Sequence, residues 1–496
     1  MIKESLLLSL TWLIPALTAV ITLAFPPDAN RGVKRLNVVS CLLNLGLVVY
    51  LLFRYQAVAA VSIPLAFTMD LPWFSVLNIR YTIGVDALSI LMMLLTAIVS
   101  LTGVLASWNI NTQVREFFIL ANILVAGVFG VFISFDLFVL FLFYEVAVLP
   151  MYLLIGVWGT GRKEYAAMKL TLMLVAGSAL IFGGILALYF GSGISSFNIF
   201  QLADIRFDPV FQRWAFTALF VGFGVLSALF PFHTWSPDGH ASAPTAVSML
   251  HAGVLMKLGG YGCLRVAMFI LPEGAREILP YLLVPITINV AYGAFVAVRQ
   301  TDLKYINAYS SVSHLGLVLM GLAVMTYTGL KGSAMQMISH GLLTALMFCL
   351  IGMIYGRTHT REVPEMGGLM KVMPFLGVAF VIAGFAGLGL PGLSGFAAEV
   401  TLFIGVFENP SMIARIAAVL AILSITTTAV YILRATNRML HGPISEEFAK
   451  LGDATTMEKI PVVILVACLF GMGIFPGWIA NLLDYSIQPI MENLTR

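Results

Sequence analysis

Charge is what this 496-residue chain has least of: Asp, Glu, Lys and Arg together make 10% of it, against about 25% in a soluble domain. A surface so poor in ions does not hold a chain of this length in water. Cysteine is equally sparse, with Cys41, Cys263, Cys349 and Cys468 standing far apart. They form no CxxC or Cys/His ligand spacing, so neither a zinc site nor an iron–sulfur cluster is expected, and the chain is read as carrying no metal and no cofactor. There is no glycine-rich phosphate loop, no dinucleotide fingerprint and no nucleophile elbow, which removes nucleotide and acyl chemistry. A net charge of only +3, with no continuous Lys/Arg face, sets nucleic acid aside as a partner.

What is abundant is apolar sequence, 60% of residues, with a mean hydropathy of +0.98. Taking about 20 apolar residues as one crossing, the chain reads as an all-α polytopic membrane protein. Fourteen transmembrane helices fall near 5–25, 37–54, 83–108, 115–133, 134–157, 166–190, 213–233, 244–270, 279–299, 303–326, 331–354, 373–402, 411–439 and 458–482. The first run has no small-residue cleavage site behind it and reads as a retained helix. Lys and Arg are in excess in the loops after odd-numbered crossings, Arg265 being counted to the opposite side, and this places both termini outside. The lipid bilayer is thus the first partner.

An ionisable side chain in the middle of a crossing costs roughly 2.5–3.5 kcal/mol, so each deep one is a functional candidate. Three are deep: Glu145 within the apolar run 137–155, Lys257 in the middle of 244–270, and Glu399 within 373–402. A structural reading stands beside each: a protonated carboxyl bonded in the core, or a lysine pinned by one carboxylate. Burial also poises such groups to exchange protons, which is what a relay requires. Lys169, one turn into its crossing beside Arg162 and Lys163, reads equally well as a snorkelling cation. His314 and His340 lie singly on apolar faces, and His251 stands six positions before Lys257. A lone histidine is usually a satisfied core residue, but three buried charges nearby turn the reading toward a relay.

Two crossings are interrupted by glycine and proline. One break runs from Pro231 past Pro237 to Pro244, the other from Gly387 through Pro391 and Gly392 to Gly395. Backbone freed from helical bonding inside a bilayer is tolerated where it lines a cavity or faces protein, and paired breaks point to a transport pathway.

The strings Phe141 to Tyr152, PFHTWSPDGHASAPTAVSML (231–250), AGVLMKLGGYG (252–262), TDLKYINAYSSVSHLG (301–316), MISHGL (337–342) and LGLPGLSGFAAE (388–399) resemble the antiporter-like proton-channel subunits of respiratory complex I, over about residues 83–439. The resemblance implies two inverted five-helix repeats with helices 7 and 12 broken. The corresponding division is 1–114 for helices 1–3, 115–270 and 279–439 for the repeats, and 440–496 for a loop and the last helix. It implies a proton relay in which Glu145 is the helix 5 glutamate, Lys257 the helix 8 lysine and Glu399 the helix 12 acid, with histidines between. Implied partners are other membrane-arm subunits, of the L, N, K and J types, on both flanks. The implied place is a bacterial cytoplasmic membrane or an equivalent energy-transducing one, and quinone reduction happens elsewhere in the complex.

One departure stands out. The family carries a lysine five positions before the Pro-Phe-His run, and here that position is Leu226. Either Lys169 takes over as the partner of Glu145, or this half does not gate as its relatives do. His251 resembles a histidine placed there in a sister subunit. Two rival readings remain open: an Mrp-type cation/proton antiporter subunit, which shares these motifs, and a scaffold that does not conduct.

Overall fold

Long apolar runs without water leave a backbone only one way to satisfy its amides, and the computed structural model, which describes residues 2–59 and 65–495, is accordingly built of helices. Helices α1 (Ile2–Leu23) and α2 (Asn30–Ala59) precede an antiparallel hairpin of β1 (Ala66–Phe74) and β2 (Ile79–Val85). Then come α3 (Ala87–Ala106), α4 (Val114–Ile133), α5 (Leu137–Val148), α6 (Pro150–Trp158), α7 (Lys163–Ser192), the short α8 (Ile199–Ala203) and α9 (Pro209–Leu226). Three short helices follow, α10 (Trp235–Ser242), α11 (Thr245–Leu250) and α12 (Lys257–Gly262). The rest is α13 (Pro272–Arg299), α14 (Leu303–Ala323), α15 (Tyr327–Thr358), α16 (Pro374–Gly387), α17 (Ser394–Glu408), α18 (Met412–Leu440), α19 (Thr456–Ile474) and α20 (Pro476–Thr495).

Among the described residues, twelve helical stretches are long and apolar enough to cross a membrane, α5 and α6 counting as one. The regions 245–268 and 374–408 are divided into shorter pieces and fall outside that set. Aspartates start several helices: Asp86, Asp136, Asp208 and Asp302 accept backbone amides at the beginnings of α3, α5, α9 and α14. Each satisfies amides that would otherwise be orphaned at a helix end.

The helices are not equally sheltered. The apolar windows of α14 and α15 are 94% buried within this one chain, whereas that of α19 is 28% buried. α15 packs on α3, α11, α14, α17 and α19, and is the post around which the bundle is built.

Several sequence expectations are corrected. The crossing expected at 83–108 begins at Ala87, because the preceding segment pairs as the hairpin, so the chain is not purely helical. The last expected crossing ends at Ile474, and α20 is a separate helix begun by Pro476. Pro237 does not break a helix: the interruption is the turn segment 227–234, and Pro237 sits in the first turn of α10, where its missing amide has no partner to lose. Pro231 lies in that turn segment, and Pro391 and Gly392 lie in the gap between α16 and α17. Arg265, counted above as a loop charge, is buried, and so are Lys34 and Lys304.

Candidate functional site

The centre of the chain is a line of four buried ionisable side chains. Two π-helical turns, His251–Leu255 and Cys263–Met268, flank α12. Such turns widen the helix and shift its bonding register. Lys257, the first residue of α12, bends back so that its Nζ donates to the carbonyl of Ala252 and lies 2.9 Å from Nδ1 of His340 on α15. The His340 ring is 5.3 Å, centroid to centroid, from that of His314 on α14. His314 Nδ1 in turn lies 3.4 Å from Oε1 of Glu399 on α17. None of the four is more than 5% exposed.

His314 holds a contested position. Its Nδ1 is also 3.2 Å from Nε2 of Gln336 on α15. An unprotonated Nδ1 accepts from the amide, and a protonated Nδ1 donates to Glu399; the two bonds exclude each other. The amide oxygen of Gln336 and Nε2 of His340 have no hydrogen-bond partner.

The break between α16 and α17 fits Glu399 closely. Gly389 has a φ of +67°, and a Cβ there would lie 2.6 Å from Glu399 Oε2. Only glycine allows both the backbone turn and the approach of the carboxylate. The Ser339 hydroxyl donates to Ser394 at 2.8 Å, tying α15 to the start of α17 beside this break.

On the other side of Lys257 stands a second pair of histidines. The His240 and His251 rings are 4.2 Å apart, and His240 Nε2 is 3.3 Å from the sulfur of Met256. His240 Nδ1 and both nitrogens of His251 lack partners. His240 was missed at the sequence level, where its string was read as a helix break alone; its spacing from Met256 and His251 is a matter of three-dimensional packing.

Glu145 and Lys169 do not join this line. Glu145, on α5, is half-buried; Ser178 of α7 faces its carboxylate, yet Oε1 has no hydrogen-bond partner. Leu226, where the family's lysine would stand, is fully buried. Lys169 does not take over as partner of Glu145: its Nζ lies 2.7 Å from Asp238 Oδ2 on α10, and Tyr305 of α14 donates to the other oxygen of Asp238 at 3.0 Å. His233 is buried in the 227–234 turn.

Two further buried charges escaped sequence reasoning. Arg265 forms an ion pair with Asp86, both almost wholly buried, at the end of the divided region 245–268 that carries Lys257. Lys304, buried at the start of α14, donates to the Ala243 carbonyl at 2.5 Å and lines an open cavity of about 640 Å³ that also reaches Arg357 and Glu458. Just outside that crossing, burial pushes the Asp302 carboxyl above the usual carboxylate range, against the pull of Arg361 at 3.0 Å.

A helical bundle with apolar outer surfaces, enclosing a line of titratable groups centred on its two most sheltered helices, defines an integral membrane protein. Residues 134–426 match the family described as NADH:quinone oxidoreductase/Mrp antiporter, TM. The chain belongs to this family. It is 36% identical to NAD(P)H-quinone oxidoreductase chain 4 1 of Synechococcus sp. (strain JA-3-3Ab), over 91% of this chain and 87% of that one. It is 34% identical to NADH-quinone oxidoreductase subunit M of Rhodobacter capsulatus, over 96% and 94% respectively. Among solved structures, a chain of respiratory complex I from Thermus thermophilus with bound NADH superposes with a TM-score of 0.89 at 26% identity, covering 98% of this chain and 99% of that one. A chain of the Mrp complex from Dietzia sp. DQ12-45-1b shares the fold, with a TM-score of 0.83 at 21% identity over 99% and 100% of the two chains.

Proposed function

We propose that this chain is a proton-translocating membrane-arm subunit, of the subunit M or chain 4 kind, in a complex I-like NADH:quinone oxidoreductase. The observation that carries the reading is the run Glu399–His314–His340–Lys257, in which each group lies within direct or one-water reach of the next. The chain performs no redox step. Its part is to hold and pass protons: Lys257 releases one to Nδ1 of His340, His340 passes one from Nε2 to His314 through a water, and His314 gives its Nδ1 proton to Glu399 when that nitrogen is not accepting from Gln336. A pKa shift of one unit corresponds to about 1.4 kcal/mol, and a proton moved against 100 mV costs about 2.3 kcal/mol, so a few units of mutual influence suffice.

In this reading the divided regions 245–268 and 374–408 each cross the membrane, giving fourteen crossings in two inverted repeats, 115–270 and 279–439, between the flanking regions 1–114 and 440–496. Both termini lie outside a bacterial cytoplasmic membrane or its equivalent, and subunits of the L, N, K and J types adjoin the flanks.

The deciding experiment is Lys257→Ala and Glu399→Gln in the assembled complex, with proton uptake into vesicles measured per quinone reduced. Both variants are expected to abolish the share of pumping that this chain carries. Unchanged pumping in both favours the scaffold reading, which Leu226 and the unpaired Glu145 also favour for the first half of the chain. Sodium-dependent transport without redox subunits favours the Mrp-type reading.

A further inference from the structure

Away from the relay, the start of α2 meets the end of α3 around an open cavity of about 660 Å³. Asp28, Arg31, Lys34, Arg35, Trp108 and Asn111 line it. Three cations against one carboxylate leave a net positive pocket, and none of the three forms an ion pair among the described residues. Lys34 is 6% exposed, and its Nζ donates only to neutral acceptors, the Trp108 carbonyl at 2.7 Å and Asn111 Oδ1 at 3.4 Å. A buried cation without a counter-ion is costly unless an anion arrives from outside.

Beyond the cavity, α2 carries an apolar stripe. Counting from Arg35, positions four, seven and eight further along α2 fall on the same helix face. They are Val39, Leu42 and Leu43, which are 52%, 52% and 61% exposed. A ligand that satisfied both parts would be anionic at one end and a hydrocarbon chain at the other, with Trp108, a residue type favoured at bilayer interfaces, lining the headgroup end. Basic pockets at helix ends on the positive face of a membrane protein bind such headgroups.

We propose that this cavity seats the phosphate of an anionic phospholipid, held by Arg31, Lys34 and Arg35, with an acyl chain along Val39, Leu42 and Leu43. The site stands independently of the proton path.

The test uses the assembled complex in phosphatidylcholine vesicles, titrated with brominated phosphatidylglycerol or brominated phosphatidylcholine while tryptophan fluorescence is read. Brominated phosphatidylglycerol is expected to quench more, and Trp108→Phe is expected to remove the excess. Arg31→Gln with Arg35→Gln, both exposed positions, is expected to weaken that binding roughly 30-fold, at about 1 kcal/mol for each basic residue. Equal quenching by the two lipids, or an excess that survives either variant, overturns the proposal. So does full displacement by inorganic phosphate, which would show that the pocket takes the anion without its lipid.

Discussion

Lys257 and His340, 83 residues apart in sequence, meet nitrogen to nitrogen at 2.9 Å in the most sheltered part of the bundle. With Lys257 charged, Nδ1 of His340 accepts; with Lys257 neutral, the same contact carries the proton that has just been passed. His340→Leu therefore removes a relay member while the apolar packing around it persists. The share of proton transfer per quinone reduced that this chain carries is expected to fall by about a hundredfold, the low end of what a positioned acid–base group contributes. Dye quenching in proteoliposomes checks this, and native gels confirm assembly. His340→Gln keeps a partner for Lys257 but carries no proton, so it should fall equally.

Gly389→Ala tests the fit between backbone and carboxylate at the other end of the line. The alanine must adopt a φ of +67° and place its methyl 2.6 Å from Glu399 Oε2. Strain of that kind costs about 1–3 kcal/mol. The variant is expected to melt at a lower temperature and to pump as poorly as Glu399→Gln, although Glu399 is intact. Normal pumping would show that the carboxylate needs no fixed seat.

The pairing of Lys169 with Asp238 gives a double-mutant prediction. Both side chains are about a quarter exposed, so solvent screening holds the coupling between Lys169→Met and Asp238→Asn to about 1 kcal/mol in thermal stability. Coupling between Lys169→Met and Glu145→Gln is expected to be indistinguishable from zero. A larger Glu145–Lys169 coupling would mean that the lysine swings between two carboxylates.

Among the described residues, Arg265 and Asp86 form the most deeply buried ion pair. Arg265→Met strands a carboxylate in the core and is expected to cost about 3–5 kcal/mol. Replacing both with apolar residues of similar volume should recover most of that loss, measured as melting temperature of the assembled complex. If the double variant is no better than the single, the pair's own geometry, and not relief of a stranded charge, holds α3 to the region 245–268.

Much of this architecture is readable in one dimension, and the unreadable part has a common cause. Lys257, Glu399, His314 and His340 stand out because a titratable residue inside an apolar run is anomalous wherever the run goes. The break at 388–393 shows itself as clustered glycine and proline. Partnership is another matter. Lys169 looks like a snorkelling cation until Asp238, 69 residues later, is folded beside it. Arg265 sits near the end of its apolar run and reads as a loop charge; Asp86, 179 residues earlier, is what buries it. The hairpin 66–85 was absorbed into loop and crossing because its strands abut an apolar helix and β1 carries Pro72.

The two helices that bear His314 and His340 scarcely touch the outside of the molecule. On the proposed relay, the protein insulates its own conductor: the two histidines are held away from hydrocarbon tails, and the membrane's fatty-acid makeup is expected to have no direct hold on the rate. Whatever modulates the current must act at the openings or from an adjoining subunit, since the jacket itself is sealed.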